Sequence, residues 1–280
     1  MGETPMPRKT AMTQQSVDLQ TYLQQVHRQI QLLQIQVVRA NQLAAAAKAE
    51  LDLQRAGRTA RNPVEFTAQY GEDLVLWNLL DHQGEGFFIE AGAFDGYRYS
   101  VTYALECIGW RGLLVEALPE AAERCRQRRT ASRVVQSALS KPGSPQSATF
   151  TVLQDQYGGM LSYLKASEQH LRDTSWAAKQ TITVPVTTLD ALLADHSGPI
   201  DVVVLDLEGG ELDALAGSDL ERFKPRILMI EDNTHGRDPG IANFMSRFPY
   251  ELAWRVAVNQ IYVRKDEKDL LERAKWMQNG

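Results

Sequence analysis

Two cysteines in 280 residues, Cys107 and Cys125, are too few for a disulfide framework, and their spacing suits no metal site. Each is expected as a small core hydrophobe, in a reducing, cytoplasmic setting. The chain also lacks any run approaching the ~20 apolar residues that a membrane span requires. Residues 1–10 carry a basic pair with no apolar stretch behind it, so no secretory signal is expected. Basic charge is scarce as well. A formal net charge of −5 argues against a nucleic-acid partner, because neutralising phosphates needs a concentrated basic surface. What the chain does have is 44% hydrophobic residues, enough to bury a core.

Proline and glycine are absent between Thr10 and Gly57. In that stretch apolar residues recur at alternating spacings of four and three: Leu19, Leu23, Val26, Ile30, Leu33, Val37, Ala40, Ala44, Ala47, Leu51. The pattern is a coiled-coil heptad seam. It predicts a helix on the order of 60 Å long, which cannot bury its own stripe. Homo-oligomerisation through residues 13–56 is the expectation, and packing along the chain's own globular domain is the alternative. Gly57, Asn62 and Pro63 supply the helix end, which divides the chain into a helical segment, residues 1–62, and a globular domain, residues 63–280.

Beyond Pro63 short apolar runs alternate with helical patterns. Helices are expected at residues 69–80, 100–108 and 119–130. Strands are expected at 86–90, 112–116, 133–138, 200–206, 227–231, 251–256 and 260–264. Such alternation specifies an α/β fold, a mostly parallel doubly wound sheet of Rossmann-like type with helices on both faces. Ligands then bind at the carboxyl ends of the strands.

At the end of the first strand stands Glu90-Ala91-Gly92-Ala93-Phe94-Asp95-Gly96. Small residues here let backbone approach a ligand, and glycine opens backbone angles closed to other residues. The second glycine of a dinucleotide-binding G-x-G-x-x-G is missing, which counts against a nicotinamide oxidoreductase. A carboxylate at Glu90 suits a cationic ligand such as the amino and sulfonium region of S-adenosylmethionine. Glu116, closing the second strand, lies where an acid hydrogen-bonds ribose hydroxyls. Gly92, Asp95 and Gly96 in the loop, with Ser137 and Ala138 at the end of the third strand and Asp206 at the end of the fourth, complete the expected cofactor contacts.

These stretches, with Gln69-Tyr70-Gly71-Glu72-Asp73, Gly109-Trp110-Arg111-Gly112, Thr188-Leu189-Asp190, Asp206-Leu207-Glu208-Gly209-Gly210-Glu211 and Ile230-Glu231, resemble the FkbM family of methyltransferases over most of residues 69–264. The resemblance implies a class I S-adenosylmethionine-dependent fold and methyl transfer to a hydroxyl, often on a sugar or a natural-product scaffold. One departure is visible. The family usually continues after its Glu116 equivalent with Pro and Asn, where this chain has Ala117 and Leu118.

Transfer of a methyl group to an alcohol requires removal of a proton, by a general base or with help from a metal ion. Asp206, Glu208 and Glu211 follow the fourth core strand, and Glu231, Asp232, Asn233 and His235 follow the fifth. One expectation is a hard cation, Mg²⁺, on Asp206, Glu208 and Asp232. The other is metal-free, with His235 or Glu208 as base beside Asp206. An insertion with Tyr157, Gly158, Gly159, Tyr163 and Trp176 follows the third strand, where lids and substrate walls occur. The expected partner is a small-molecule or glycan acceptor. The competing expectation from a different class is a catalytically degenerate coiled-coil scaffold.

Overall fold

The computed structural model describes residues 14–154, 159–164, 171–172 and 174–279. Thr13, Tyr157 and Gly158 fall outside them. The chain divides into two compact units, Met1–Asn41 and Gln42–Gly280. Helix α1 (Gln14–Arg55) runs without interruption through the heptad stretch. It ends at Gly57 (φ +66), where Gly57 N–H bonds Gln54 O and Arg58 N–H bonds Leu53 O. That pair of bonds is the Schellman motif, which needs a left-handed residue and finds glycine.

The last part of α1 belongs to the second unit. There Gln42, Ala49 and Leu53 are buried, with Ala45 and Ala46 packed against the same core, while Ala44, Ala47 and Leu51 stay exposed. The docked stripe is thus a different face from the heptad seam. In the first unit the seam residues Leu19, Leu23, Ile30, Leu33 and Val37 are exposed too. No described helix is long and apolar enough to cross a membrane.

The core is a seven-stranded sheet in the order β3-β2-β1-β7-β8-β10-β9. Its strands are β1 (Phe87–Ala91), β2 (Arg111–Glu116), β3 (Arg133–Gln136), β7 (Val202–Leu205), β8 (Ile227–Glu231), β9 (Tyr250–Val256) and β10 (Asn259–Arg264). The first five of these run parallel to one another, and β10 runs antiparallel to both β8 and β9. This is the doubly wound α/β sheet expected, with one antiparallel strand, β10, set between β8 and the edge strand β9.

Why the strands are continuous apolar runs is visible in their alternation. Phe88, Leu114, Val202, Val204, Met229, Ile261 and Val263 enter one core cluster. Their neighbours Ile89, Leu113, Val115, Val203, Leu205, Leu228, Ile230 and Tyr262 enter the other. Successive side chains leave opposite faces of a strand, and both faces here are covered by helices. On the first face lie α2 (Glu72–Leu79), α3 (Tyr103–Ile108) and the end of α1. On the second lie the helices Glu211–Ala216 and Gly240–Met245.

A second, three-stranded sheet, β4-β6-β5, was not foreseen. It joins β4 (Ala138–Leu139), β5 (Ser147–Gln154) and β6 (Ala178–Thr187). In β6 only Val184 is fully buried, and Pro185 interrupts the run, so the alternation that marks a half-buried strand is faint. The expected strand 133–138 is in fact split. Its chain leaves the large sheet at Ser137, whose N–H bonds Glu116 O and whose hydroxyl bonds Pro185 O.

Candidate active site

A cavity of about 340 Å³ opens at the carboxyl ends of β1, β2, β7 and β8, where strand order reverses between β1 and β7. Topology divides it. The ends of β1, β2 and β3 bring Gly92, Phe94, Glu116, Leu118, Ser137 and Ala138 to one half. The ends of β7 and β8 bring Asp206, Glu208, Glu231 and Asn233 to the other.

In the first half, Glu116 is buried and joins two loops. One carboxylate oxygen accepts from Phe94 N–H at 2.7 Å and the other from Leu118 N–H at 2.7 Å. Each oxygen keeps a lone pair for a further donor. Burial pushes this carboxyl above its ordinary range, while the backbone donors oppose the shift. Ser137 and Ala138 line the same half, joined by Phe150 from β5 and by Met160 and Leu164 from the insertion. Tyr163 instead sits in a small apolar cluster under β5, and Trp176 is exposed.

Glu90 also borders the cavity, but its carboxylate is held by protein. It accepts from Ser100 Oγ, Val101 N–H and Thr102 Oγ1, and lies 3.5 Å from the guanidinium of the buried Arg129. Those contacts fill about four acceptor positions, the capacity of a carboxylate. Arg129 bonds Glu106 as well, at 3.1 Å. The countercharge for Glu90 is therefore internal, and the expected direct contact with a cationic ligand does not follow from its surroundings.

Asp95 and Gly96, expected as cofactor contacts, do not line the cavity. The Asp95 carboxylate accepts from Tyr97 and Arg98 N–H and pairs with Arg128, closing the turn in which it stands. Gly96 (φ +74) faces α4 (Pro119–Arg128), and a Cβ there would come 2.8 Å from Cys125 Sγ.

In the second half, one carboxylate oxygen from each of Asp206, Glu208 and Glu231 lies within 4.8 Å of the others. Asp206 opens onto the cavity, with protein around its other sides. Glu208 has a left-handed backbone (φ +54), and the neighbouring Glu211 carboxylate holds the loop by accepting from Leu207 and Gly209 N–H. Glu231 is buried, and its Oε2 has no hydrogen-bond partner among the described residues. Burial first, and then neighbouring carboxylates, push both Asp206 and Glu231 well above the usual carboxylate range.

Asp232 is not in this group, contrary to expectation. It accepts from Thr234 N–H, Thr234 Oγ1, Gly236 N–H and Gln260 Nε2, capping the turn after β8. The reason is strand alternation: consecutive residues at the end of β8 face opposite ways. His235 stands in that same turn, exposed, with φ +55, and outside the cavity lining. Neither residue is placed to act on a ligand in the cavity.

Strand parity is the signal that finds Glu231. Register pairs Leu205 with Ile230, so one step further sets Asp206 beside Glu231, on the face of Val204 and Met229. Sequence reasoning also passed over Tyr70, Glu72, Tyr99 and Asn259, which line the cavity as well. Asn259 Nδ2 donates to Glu72 at 3.1 Å, and Tyr70 and Tyr99 remain about half exposed.

Among the solved structures similar to the chain are three methyltransferases at low identity. A Pyrococcus horikoshii protein, provisionally described as an RNA methyltransferase, shares 10% identity, with 79% of this chain and 96% of that one covered and a TM-score of 0.35. A TehB-like S-adenosylmethionine-dependent methyltransferase from Corynebacterium glutamicum shares 12%, with 78% and 96% covered and a TM-score of 0.36. The METTL16 methyltransferase domain shares 14%, with 68% and 64% covered and a TM-score of 0.36. No curated protein is similar enough in sequence to count as a match. The methyltransferase FkbM domain, by contrast, matches residues 90–252, more than half of the chain, including the carboxyl ends of β1, β2, β3, β7 and β8. The chain belongs to the FkbM family of methyltransferases and has a class I, S-adenosylmethionine-dependent methyltransferase fold.

Proposed function

We propose that this methyltransferase acts on a hydroxyl group of a sugar or of a glycosylated or natural-product acceptor. The observation that carries the reading is the carboxylate group Asp206, Glu208 and Glu231 at the acceptor end of the cavity. An alcohol is a poor acid near neutral pH and must lose its proton during transfer, whereas a neutral amine is already nucleophilic. Acidic walls and a net charge of −5 disfavour a polyphosphate acceptor.

The residues of the first half fit the cofactor. S-adenosylmethionine supplies a methyl group already activated on sulfur. Glu116, with one lone pair free on each oxygen, accepts from the two ribose hydroxyls. Phe94, Leu118 and Phe150 exclude water around the adenosine. Tyr70 and Tyr99 offer aromatic faces for a sugar ring. Asp206, open to the cavity and pushed above the ordinary carboxylate range, receives the hydroxyl proton on a carboxylate oxygen. Aligning acceptor, methyl and sulfur is the larger part of the catalysis. An Mg²⁺ ion, also expected at this end, would polarise the same hydroxyl.

The test is calorimetric titration with S-adenosylhomocysteine, followed by methyl transfer to a panel of glycosides, polyketides and amines. Binding with transfer to hydroxyl acceptors supports the reading. Transfer to amines alone would overturn the hydroxyl assignment, and failure to bind would favour the degenerate scaffold. We propose in addition a homo-oligomer through residues 13–56, since the seam residues of α1 are exposed, and those buried near its end lie on another face.

A further inference from the structure

We infer that Asp206, Glu208 and Glu231 form a site for one hard divalent cation of the Mg²⁺ or Mn²⁺ kind. The inference rests on the methyltransferase reading of the cavity and sharpens its acceptor half. Three carboxylates from two adjacent strand ends put one oxygen each within 4.8 Å of the others. An octahedral ion with ~2.1 Å bonds spaces its ligands about 3 to 4 Å apart, so a small inward rotation of the side chains completes the set. All three donors are oxygen. Cys107 and Cys125 are buried elsewhere, and His235 lies outside the cavity. The donor set therefore selects a hard ion over zinc or copper.

Glu231 provides the independent observation. Its side chain lines the cavity and interacts with Asp206, while its Oε2, shielded from solvent, has no hydrogen-bond partner among the described residues. A buried polar atom without a partner is costly. A cation among the three carboxylates satisfies that oxygen and offsets their mutual repulsion together. The neighbouring strand-end acid cannot do this, because the Asp232 carboxylate already accepts from Thr234, Gly236 and Gln260. Ligation thus passes to the residue whose parity matches Asp206. The open cavity beside the three oxygens leaves positions for water or an acceptor hydroxyl, which suits an ion that retains part of its hydration.

The experiment uses the full chain, stripped with EDTA and titrated with MnCl₂, with free Mn²⁺ read by its electron paramagnetic resonance signal. S-adenosylhomocysteine affinity is measured on the same samples. Saturable binding of one Mn²⁺ per chain is expected, displaced by Mg²⁺. Glu231→Gln should weaken it at least about tenfold, as loss of a charged ligand does. Asp232→Asn should leave Mn²⁺ affinity within about twofold. Protein that binds S-adenosylhomocysteine but no Mn²⁺ overturns the cation site and leaves the methyltransferase reading intact. Protein that binds neither overturns both. Mn²⁺ binding insensitive to Glu231→Gln, or lost with Asp232→Asn alone, also overturns the assignment.

Discussion

The carbonyl oxygen of Asp206 lies 1.7 Å from where a Cβ on residue 92 would stand. Gly92, with φ +86, is therefore required by the end of β7 as well as by any ligand. Asp206 N–H in turn bonds Ala91 O at 3.0 Å, so the two strand ends meet without a side chain between them. Gly92→Ala must both adopt an unfavourable backbone angle and displace a neighbouring backbone. We expect a loss of about 2–4 kcal/mol in stability, with weakened S-adenosylhomocysteine binding. Denaturant unfolding and calorimetry check both, and a variant of native stability and affinity would show that the close approach is not needed.

Glu116→Gln keeps the size of the side chain and removes its charge. One of the two oxygens becomes an amide facing a backbone N–H, so a modest loss of stability accompanies the change. Affinity for S-adenosylhomocysteine should fall about 10- to 100-fold, the worth of hydrogen bonds to a charged group. Unchanged affinity in isothermal titration would remove Glu116 from ribose binding.

Asp73 titrates unusually. Burial pushes its carboxyl to about 7, against hydrogen bonds from Ala68 and Leu74 N–H that lower it. The folded chain then holds a proton that the unfolded chain releases near pH 4. Stability from this group is full in acid and declines as pH rises from about 4 to about 7, by a few kcal/mol at most. Urea midpoints of the wild type and Asp73→Asn, compared at pH 5 and pH 8, should show the variant losing less over that interval. A parallel decline in both proteins would assign the effect to other buried acids such as Glu72.

Both thiols are buried, and burial raises Cys107 to about 11 and Cys125 to about 12. Thiolate is the reactive form, so native protein at pH 8 should react negligibly with a disulfide reagent. Denaturant should release both. Rapid labelling of either cysteine in the native state would contradict its place in the core.

Removing residues 1–41 should reduce the assembly mass measured by light scattering, and so should Leu23→Asp with Leu33→Asp in the full chain. Both leucines are exposed on the seam, where charge disrupts helix pairing without touching a buried core. An unchanged mass in both would end the proposal of self-association through the helix.

Several features were legible because their causes are local. A heptad spacing, the absence of Pro and Gly before Gly57, apolar runs of strand length and a small-residue turn each depend on neighbours within a few positions. Together they determined the long helix, the doubly wound sheet and the loop Glu90–Gly96 at its switch point. Parity along β7 and β8 could also have singled out Glu231 over Asp232, since alternation is local too.

Tertiary structure decided which partner each acidic side chain took. Glu90 is paired with Arg129 and hydrogen-bonded by Ser100 and Thr102, groups brought in from just beyond α4 and from the approach to α3. Asp95 closes a turn and Asp232 caps another, while Glu231 is left with one oxygen that has no hydrogen-bond partner among the described residues. The faint strand β6 exists because β5 pairs with its residues Ala178–Pro185 and β4 with Val186 and Thr187. A carboxylate has the same identity in every one of these places. Its role depends on the donors around it, and those arrive only when distant segments pack together.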